Sequence, residues 1–290
     1  MRYRIPSILI VALLMVSSLP QHAQSRHVAG TLLLAGAADA PRAAVVDTIG
    51  PAAMIHPVPA GYSFPHHTVL HYDAEWRLWK AGTASLQIDA AGPEERVTAS
   101  ADSTGVIAML YRVQDRFESF FDRKSFCSLS LTKHSEEGLH QRDTNIRFDQ
   151  LRRKAVLDER NLRTGQSKHT EQDTPGCVTD VLSGMFYLAS LPLEPGSASM
   201  FPLNDGGQTV TVQATTEARE EIKTDAGTFR TVRVQLAADS GALKNRGKVW
   251  VWYSDDTSHT LIQVRTRLFW GTLNIRLARI DREASHSQTP

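Results

Sequence analysis

Three histidines, His66, His67 and His71, have the spacing that comes nearest to a metal-binding set. Two adjacent imidazoles and a third four positions on can ligate zinc or copper if a loop gathers them. No acidic residue at helical spacing joins them and no H-E-x-x-H occurs, so the stretch reads better as a wet entry to a strand. The string TKHSEEG sets His134 beside Ser135, Glu136 and Glu137. Adjacent residues on a strand face opposite ways, so His134 and Ser135 do not form a nucleophile–base pair. Ser183-Gly184 lacks the first glycine of a nucleophile elbow. Glu217, Glu220 and Glu221 could act as paired carboxylates on a sugar, but they interleave with Arg219 and Lys223, as a solvated charged face does. Asp255-Asp256 lacks calcium-loop spacing and reads as a turn. Arg265 and Arg267 share a strand face and could grip a carboxylate or phosphate; with Arg276 and Arg279 they read as the wet side opposite Leu261, Val264 and Leu268. No catalytic residue, metal site or cofactor is assigned.

The elements that would carry these residues are mostly strands. Apolar residues recur at every second position in HTVLHYDAEWRLWKAG, TASLQIDA and RVTASAD, with turn signals every 8 to 12 residues. Ala81-Gly82 is read as the break after the first strand. GVIAMLYRV fits a short helix better than a strand. Five further strand patterns run to about residue 172. DVLSGMFYLASLPL then spaces its apolar residues by three and four, as a helix does; Asp180 is placed to cap it and Pro192 to end it. QTVTVQATTEAREEIKT and GTFRTVRVQLAA form a hairpin at Asp225-Ala226-Gly227, and RGKVWVWYS, HTLIQVRTRLFW and GTLNIRLARID close the series. Eleven or twelve antiparallel strands are too many for a flat sheet. The expected fold is all-β and mainly antiparallel: a strongly curved sheet or open half-barrel, with one or two short helices packed in the concavity.

The first residues bear on compartment. Arg2 and Arg4 precede the apolar run SILIVALLMVSSLP, and small residues at Ala23 and Ser25 complete a secretory signal peptide over 1–25, with cleavage after Ser25. Residues 26–60 read as a poorly ordered leader rich in Ala, Pro and Gly, 61–284 as a single β domain, and 285–290 as a flexible tail. The expected location is periplasmic or secreted, with no transmembrane segment in the mature chain. Two cysteines, Cys127 and Cys177, in an exported chain point to one disulfide, with two buried thiols as the alternative. A net charge of +1 argues against a nucleic-acid partner.

GKVWVWYSDD poses a separate problem, because both faces of its strand are apolar: Trp250 and Trp252 on one, Val249, Val251 and Tyr253 on the other. Either this is a central strand covered on both sides, or the two indoles line a ligand cavity. In the second case the concave wall would comprise Trp76, Leu182, Phe186, Trp250, Trp252 and Phe269.

The ordered run Tyr72-x-Ala74-x-Trp76-x-x-Trp79-x-Ala81-Gly82, then Asp180-Val181-Leu182-Ser183-Gly184-Met185-Phe186-Tyr187-Leu188, then Glu221-Ile222-Lys223-Thr224 with Gly227-Thr228-Phe229, then Trp250-Val251-Trp252-Tyr253-Ser254-Asp255-Asp256, resembles the family called domain of unknown function 3108, over about residues 68–282. The resemblance implies an exported envelope protein of antiparallel β type. At fold level it is similar to the open barrels that carry lipoproteins or lipids across the periplasm. The expected function is non-enzymatic: binding or carriage of a lipid or other amphipathic molecule. The alternatives are a structural or protein-partner-binding envelope domain with a filled core and, third, a hydrolase of envelope polymers.

Overall fold

The computed structural model describes residues 53–76, 79–238, 240, 248–268 and 271–282. The expectations for the signal peptide, most of the leader, Phe269 and the tail lie outside these residues. The strands are β1 (Thr68–Trp76), β2 (Trp79–Ala91), β3 (Glu94–Ser103), β4 (Val113–Asp122), β5 (Ser128–Glu137), β6 (His140–Asp149), β7 (Lys154–Asn161), β8 (Ser167–Asp173), β9 (Ala198–Asn204), β10 (Thr209–Thr224), β11 (Gly227–Ala238), β12 (Val249–Ser254), β13 (Leu261–Leu268) and β14 (Gly271–Arg282). The helices are α1 (Gly105–Leu110), between β3 and β4, and α2 (Val181–Ser190), between β8 and β9.

All fourteen strands form one antiparallel sheet, in the order β8-β7-β6-β5-β4-β3-β2-β1-β14-β13-β12-β11-β10-β9. The order follows the chain, broken only where β1 pairs with β14. The sheet is not closed: its edges, β8 and β9, do not pair with each other. The connection into α2 bridges part of the gap. Ser128 donates its backbone N–H to Val178, and Thr179 pairs with Leu203 of β9 in parallel.

Alternating side chains of the sheet meet α2 on the inner face, with Leu70, Leu86, Val97, Phe117, Val212, Val234, Val251 and Leu277 all buried in one cluster. α2 buries almost its whole circumference, as a helix enclosed by a curved sheet must. Its start is fixed by Asp180. This fully buried carboxylate accepts the backbone N–H groups of Leu182 (2.7 Å) and Ser183 (3.1 Å), while Ser183 caps in return. Its second oxygen accepts the hydroxyls of Ser119 on β4 (2.6 Å) and Ser128 on β5 (2.7 Å), so one side chain both caps the helix and docks it. The disulfide Cys127–Cys177 joins the entry of β5 to the approach of α2.

Residues 53–67, partly assigned above to the leader, lie against the core. Met54 and Val58 bond the main chain at Met200 and Lys124, and Tyr62 and Phe64 stack edge-on beside Phe126 and Phe121. His66 is 2.7 Å from the fully buried Glu95, which also pairs with Arg123. Three other expectations change. The first strand ends before Trp79, which pairs with Trp76, and Ala81-Gly82 lies inside β2, beside the bulge at Ala74/Glu75; glycine in a strand marks such a bulge as readily as an end. β9, ASMFPLN, was not foreseen, because Pro202 argues against a strand; at a sheet edge proline is tolerated, and its carbonyl accepts from Thr179. The strand count is therefore fourteen rather than eleven or twelve.

Candidate functional site

Among the described residues, one hollow beside α2 is a cleft of about 100 Å³ between the helix and the inner face of β4–β8. Its floor is Phe117, Leu131, Ile146, Leu157 and Leu182. Lys133, Glu159 and Lys168 rise from β5, β7 and β8, and the β9–β10 turn at Gly206-Gly207 forms the facing wall. The cleft is bounded by β8 on one side and the β9–β10 turn on the other, and β8 is held by β7 alone. The chemistry is amphipathic: an apolar trough flanked by Lys133, Lys168, Glu159 and Asp205.

Beside the cleft, still on the inner face, β4 and β5 bring together Asp115, Lys133, Ser135 and Glu137. The Ser135 hydroxyl lies 2.8 Å from both Asp115 Oδ1 and Glu137 Oε1. Lys133 Nζ is 3.3 Å from Glu137 and 3.7 Å from Asp115, and lies over the Phe117 ring. Asp115 is fully buried, and its Oδ2 makes no hydrogen bond. Burial pushes the Asp115 carboxyl up to about 6; Lys133 and Ser135 pull it down, and the neighbouring Glu137 raises it further. Ser135 bonds two carboxylates rather than a histidine, so it is not set up as an activated nucleophile. This cluster was not foreseen, although its signal was present. Asp115 shares strand parity with Val113, Phe117 and Phe121, and Ser135 and Glu137 share it with Leu131, so polar residues stand where the pattern reserves core positions.

A pH dependence follows. Since the folded Asp115 holds its proton above the unfolded value of 3.8, its contribution to stability is full below about pH 4 and is lost as pH rises towards 6. Asp115→Asn mimics the protonated form. Relative to the variant, the native protein is expected to lose on the order of 2–3 kcal/mol between pH 4 and pH 7. Urea unfolding of both proteins across that range checks this, and parallel curves would refute it.

The concave wall expected from the sequence is only partly assembled. Leu182 floors the cleft. Phe186 is buried on another side of α2, at a separate hollow of about 110 Å³ with Tyr62, Met185 and Tyr253. Trp76 shares a face with Leu70, Tyr72 and Ala74, but stands at the far end of β1. Trp250 and Trp252 are not on the wall. Val249, Val251 and Tyr253 take the inner face, and the Tyr253 hydroxyl donates to the Met185 carbonyl of α2 (2.9 Å). Period-two alternation then turns both indoles outward. Trp252 is nevertheless buried, because charged side chains lie across it. Its Nε1 donates to Glu220 (2.8 Å), Arg265 sits 5.2 Å from the ring, and Arg233 pairs with Glu217 and Glu220. Long charged stems can cover an apolar ring in this way, which explains a strand apolar on both faces. Burial, then the nearby Arg276, lowers the Arg265 pKa.

The other sequence candidates are separated. His66 pairs with Glu95 and His71 with Asp281. His134 is exposed and bonds Asp143 (2.6 Å), which raises its pKa; it lies on the opposite face of β5 from Ser135. Among the described residues no group of three or more His, Cys, Asp or Glu side chains is placed to hold a metal, and no helix is long and apolar enough to cross a membrane.

With the sheet order, the capped inner helix and the cleft established, the comparison with family models is decisive: the model described as "Protein of unknown function (DUF3108)" matches residues 71–278. The chain belongs to the DUF3108 family. A comparison with curated proteins finds no match. Among solved structures, this DUF3108 chain is similar to a β-barrel-like protein of the domain of unknown function DUF1849 from Brucella abortus, with 8% identity, 77% of this chain and 100% of that one covered, and a TM-score of 0.55. That likeness concerns the fold. Weaker likenesses are to a protein of YmcC-like fold from Bacteroides fragilis, described as exported (7% identity, 79% and 100% covered, TM-score 0.34), and to a protein from Parabacteroides distasonis described as a lipoprotein (10% identity, 76% and 97% covered, TM-score 0.30).

Proposed function

We propose that this DUF3108 protein is an exported, non-enzymatic binding protein that takes the acyl chain of an anionic amphiphile into the cleft between α2 and β4–β8. The observation that carries this reading is the pairing of an apolar floor with the exposed Lys168 at its side, Lys133 being held by Asp115 and Glu137. Such a site suits an apolar tail with an acidic head. A cleft of about 100 Å³ is smaller than a long acyl chain, so entry would use an outward swing of β8. An edge strand paired on one side and apolar at no position is suited to that movement. The exported location rests on residues 1–25.

A filled core without ligand is the second reading, favoured by the nearly complete burial of α2. Titration with palmitate, lysophosphatidylglycerol and hexadecanol distinguishes the two. Saturable binding is expected for the two anions, weaker binding for the alcohol, and about a tenfold loss in Lys168→Glu with an unchanged melting temperature. If neither anion binds the folded protein, the cleft is merely core.

A further inference from the structure

One end of the sheet carries a group of large apolar side chains that stay mostly exposed. α1 has no buried residue, although it reads Gly-Val-Ile-Ala-Met-Leu. Val106 is 68% exposed, Met109 86% and Leu110 75%. Trp79, at the start of β2, is 71% exposed, and Leu139, in the β5–β6 turn, 73%. Scattered singly, such residues would need no explanation; here hydrogen bonds join the segments that carry them into one rim. Thr104, which caps α1, donates its backbone N–H to Ala81 beside Trp79. Gly138 donates to Arg112, two residues beyond α1, and a Cβ on Gly138 would come within 2.6 Å of the Tyr111 ring. Arg163 of the β7–β8 turn reaches the Leu139 carbonyl (3.0 Å).

Charge identifies the occupant. The rim segments 79–80, 103–112, 138–141 and 161–167 contain Lys80, Arg112 and Arg163 and no Asp or Glu. The connections at the opposite end mix Asp225, Asp255 and Asp256 with Arg123, Lys124, Arg152 and Arg153. A protein partner would also meet an apolar rim. Arg112 and Arg163 beside an exposed Trp, Met and Leu, with Lys80 held by Asp73 (2.7 Å), however, match the interface of an anionic bilayer, where indoles sit at headgroup depth and cations meet phosphates.

We infer that the rim formed by α1, the start of β2 and the β5–β6 turn docks this protein on an anionic lipid surface. The β9–β10 turn lies at the same end, so the docked protein would present the cleft mouth to the lipid. The docking itself does not depend on the cleft holding a ligand.

The test is flotation of the mature chain with vesicles of phosphatidylglycerol and phosphatidylethanolamine, against vesicles of phosphatidylcholine alone, with sedimentation equilibrium in parallel. Association with the anionic vesicles is expected, weakened by salt and reduced at least about tenfold in the double variant Met109→Asp with Leu110→Asp. Because neither side chain is buried, the variant should keep the native melting temperature. Trp79→Ala provides a second, independent reduction. Three results would overturn the inference: no association with either vesicle, association unchanged in a folded double variant, or a concentration-dependent dimer that the double variant abolishes. The last would assign the rim to a second copy of the chain. Failure of ligand titration with intact vesicle binding would remove the cleft reading alone.

Discussion

Replacing Asp180 by alanine is expected to destabilise the protein by about 4 kcal/mol. Losing the helix cap accounts for about 1 kcal/mol. The hydroxyls of Ser119 and Ser128 then lose the buried acceptor they share, at about 1–3 kcal/mol each. Asp180→Asn keeps an acceptor and should recover part of the loss. Chemical denaturation of the three proteins measures the series, and a loss below about 1 kcal/mol for alanine would mean that α2 is held by apolar packing alone. The same variant should also loosen the cleft, whose wall includes Val181 and Leu182, the first residues after the cap.

Removing the disulfide is expected to be about as severe. The 50-residue separation of Cys127 and Cys177 gives about 4 kcal/mol on the chain-entropy estimate. The loop contains all of β5–β8, so without the cross-link the strands flooring the cleft would be tied to α2 mainly through Ser128 of β5 and Ser119 of β4. Cys127→Ser with Cys177→Ser should lower the denaturation midpoint accordingly, and reductant should do the same to the native protein. Equal midpoints in all three would show that the loop is as constrained without the bond as with it.

The architecture was legible in the sequence wherever physics is local. Period-two alternation revealed most strands. The three- and four-residue spacing in DVLSGMFYLASLPL revealed α2 with its cap at Asp180, and the cysteine pair revealed the cross-link. What stayed hidden depends on which face of a strand turns inward. Alternation separates Trp250 and Trp252 from Val251 and Tyr253, but aromatic size favoured the wrong set as the concave one. Only the bond from Tyr253 to α2 and the arginine cover of Trp252 decide it. The Asp115–Ser135–Glu137 cluster escaped for a related reason. Each residue looks like a strand surface group until the apolar parity of its own strand is followed. The cleft depends on where β8 stops short of β9, which no residue pattern encodes.

The sheet order has a kinetic meaning as well. Twelve of its thirteen strand pairings join neighbours along the chain and can form by successive zipping of hairpins. The remaining one, β1 with β14, brings Thr68 opposite Arg282 and requires the closure of nearly the whole domain as a loop. That meeting of the two ends is the slow step in acquiring the fold. A permuted chain, with Arg282 linked to Thr68 and new ends opened at Gly196 in the connection from α2 to β9, which pairs with neither β8 nor its neighbours, would turn it into one more hairpin and should fold faster to the same sheet.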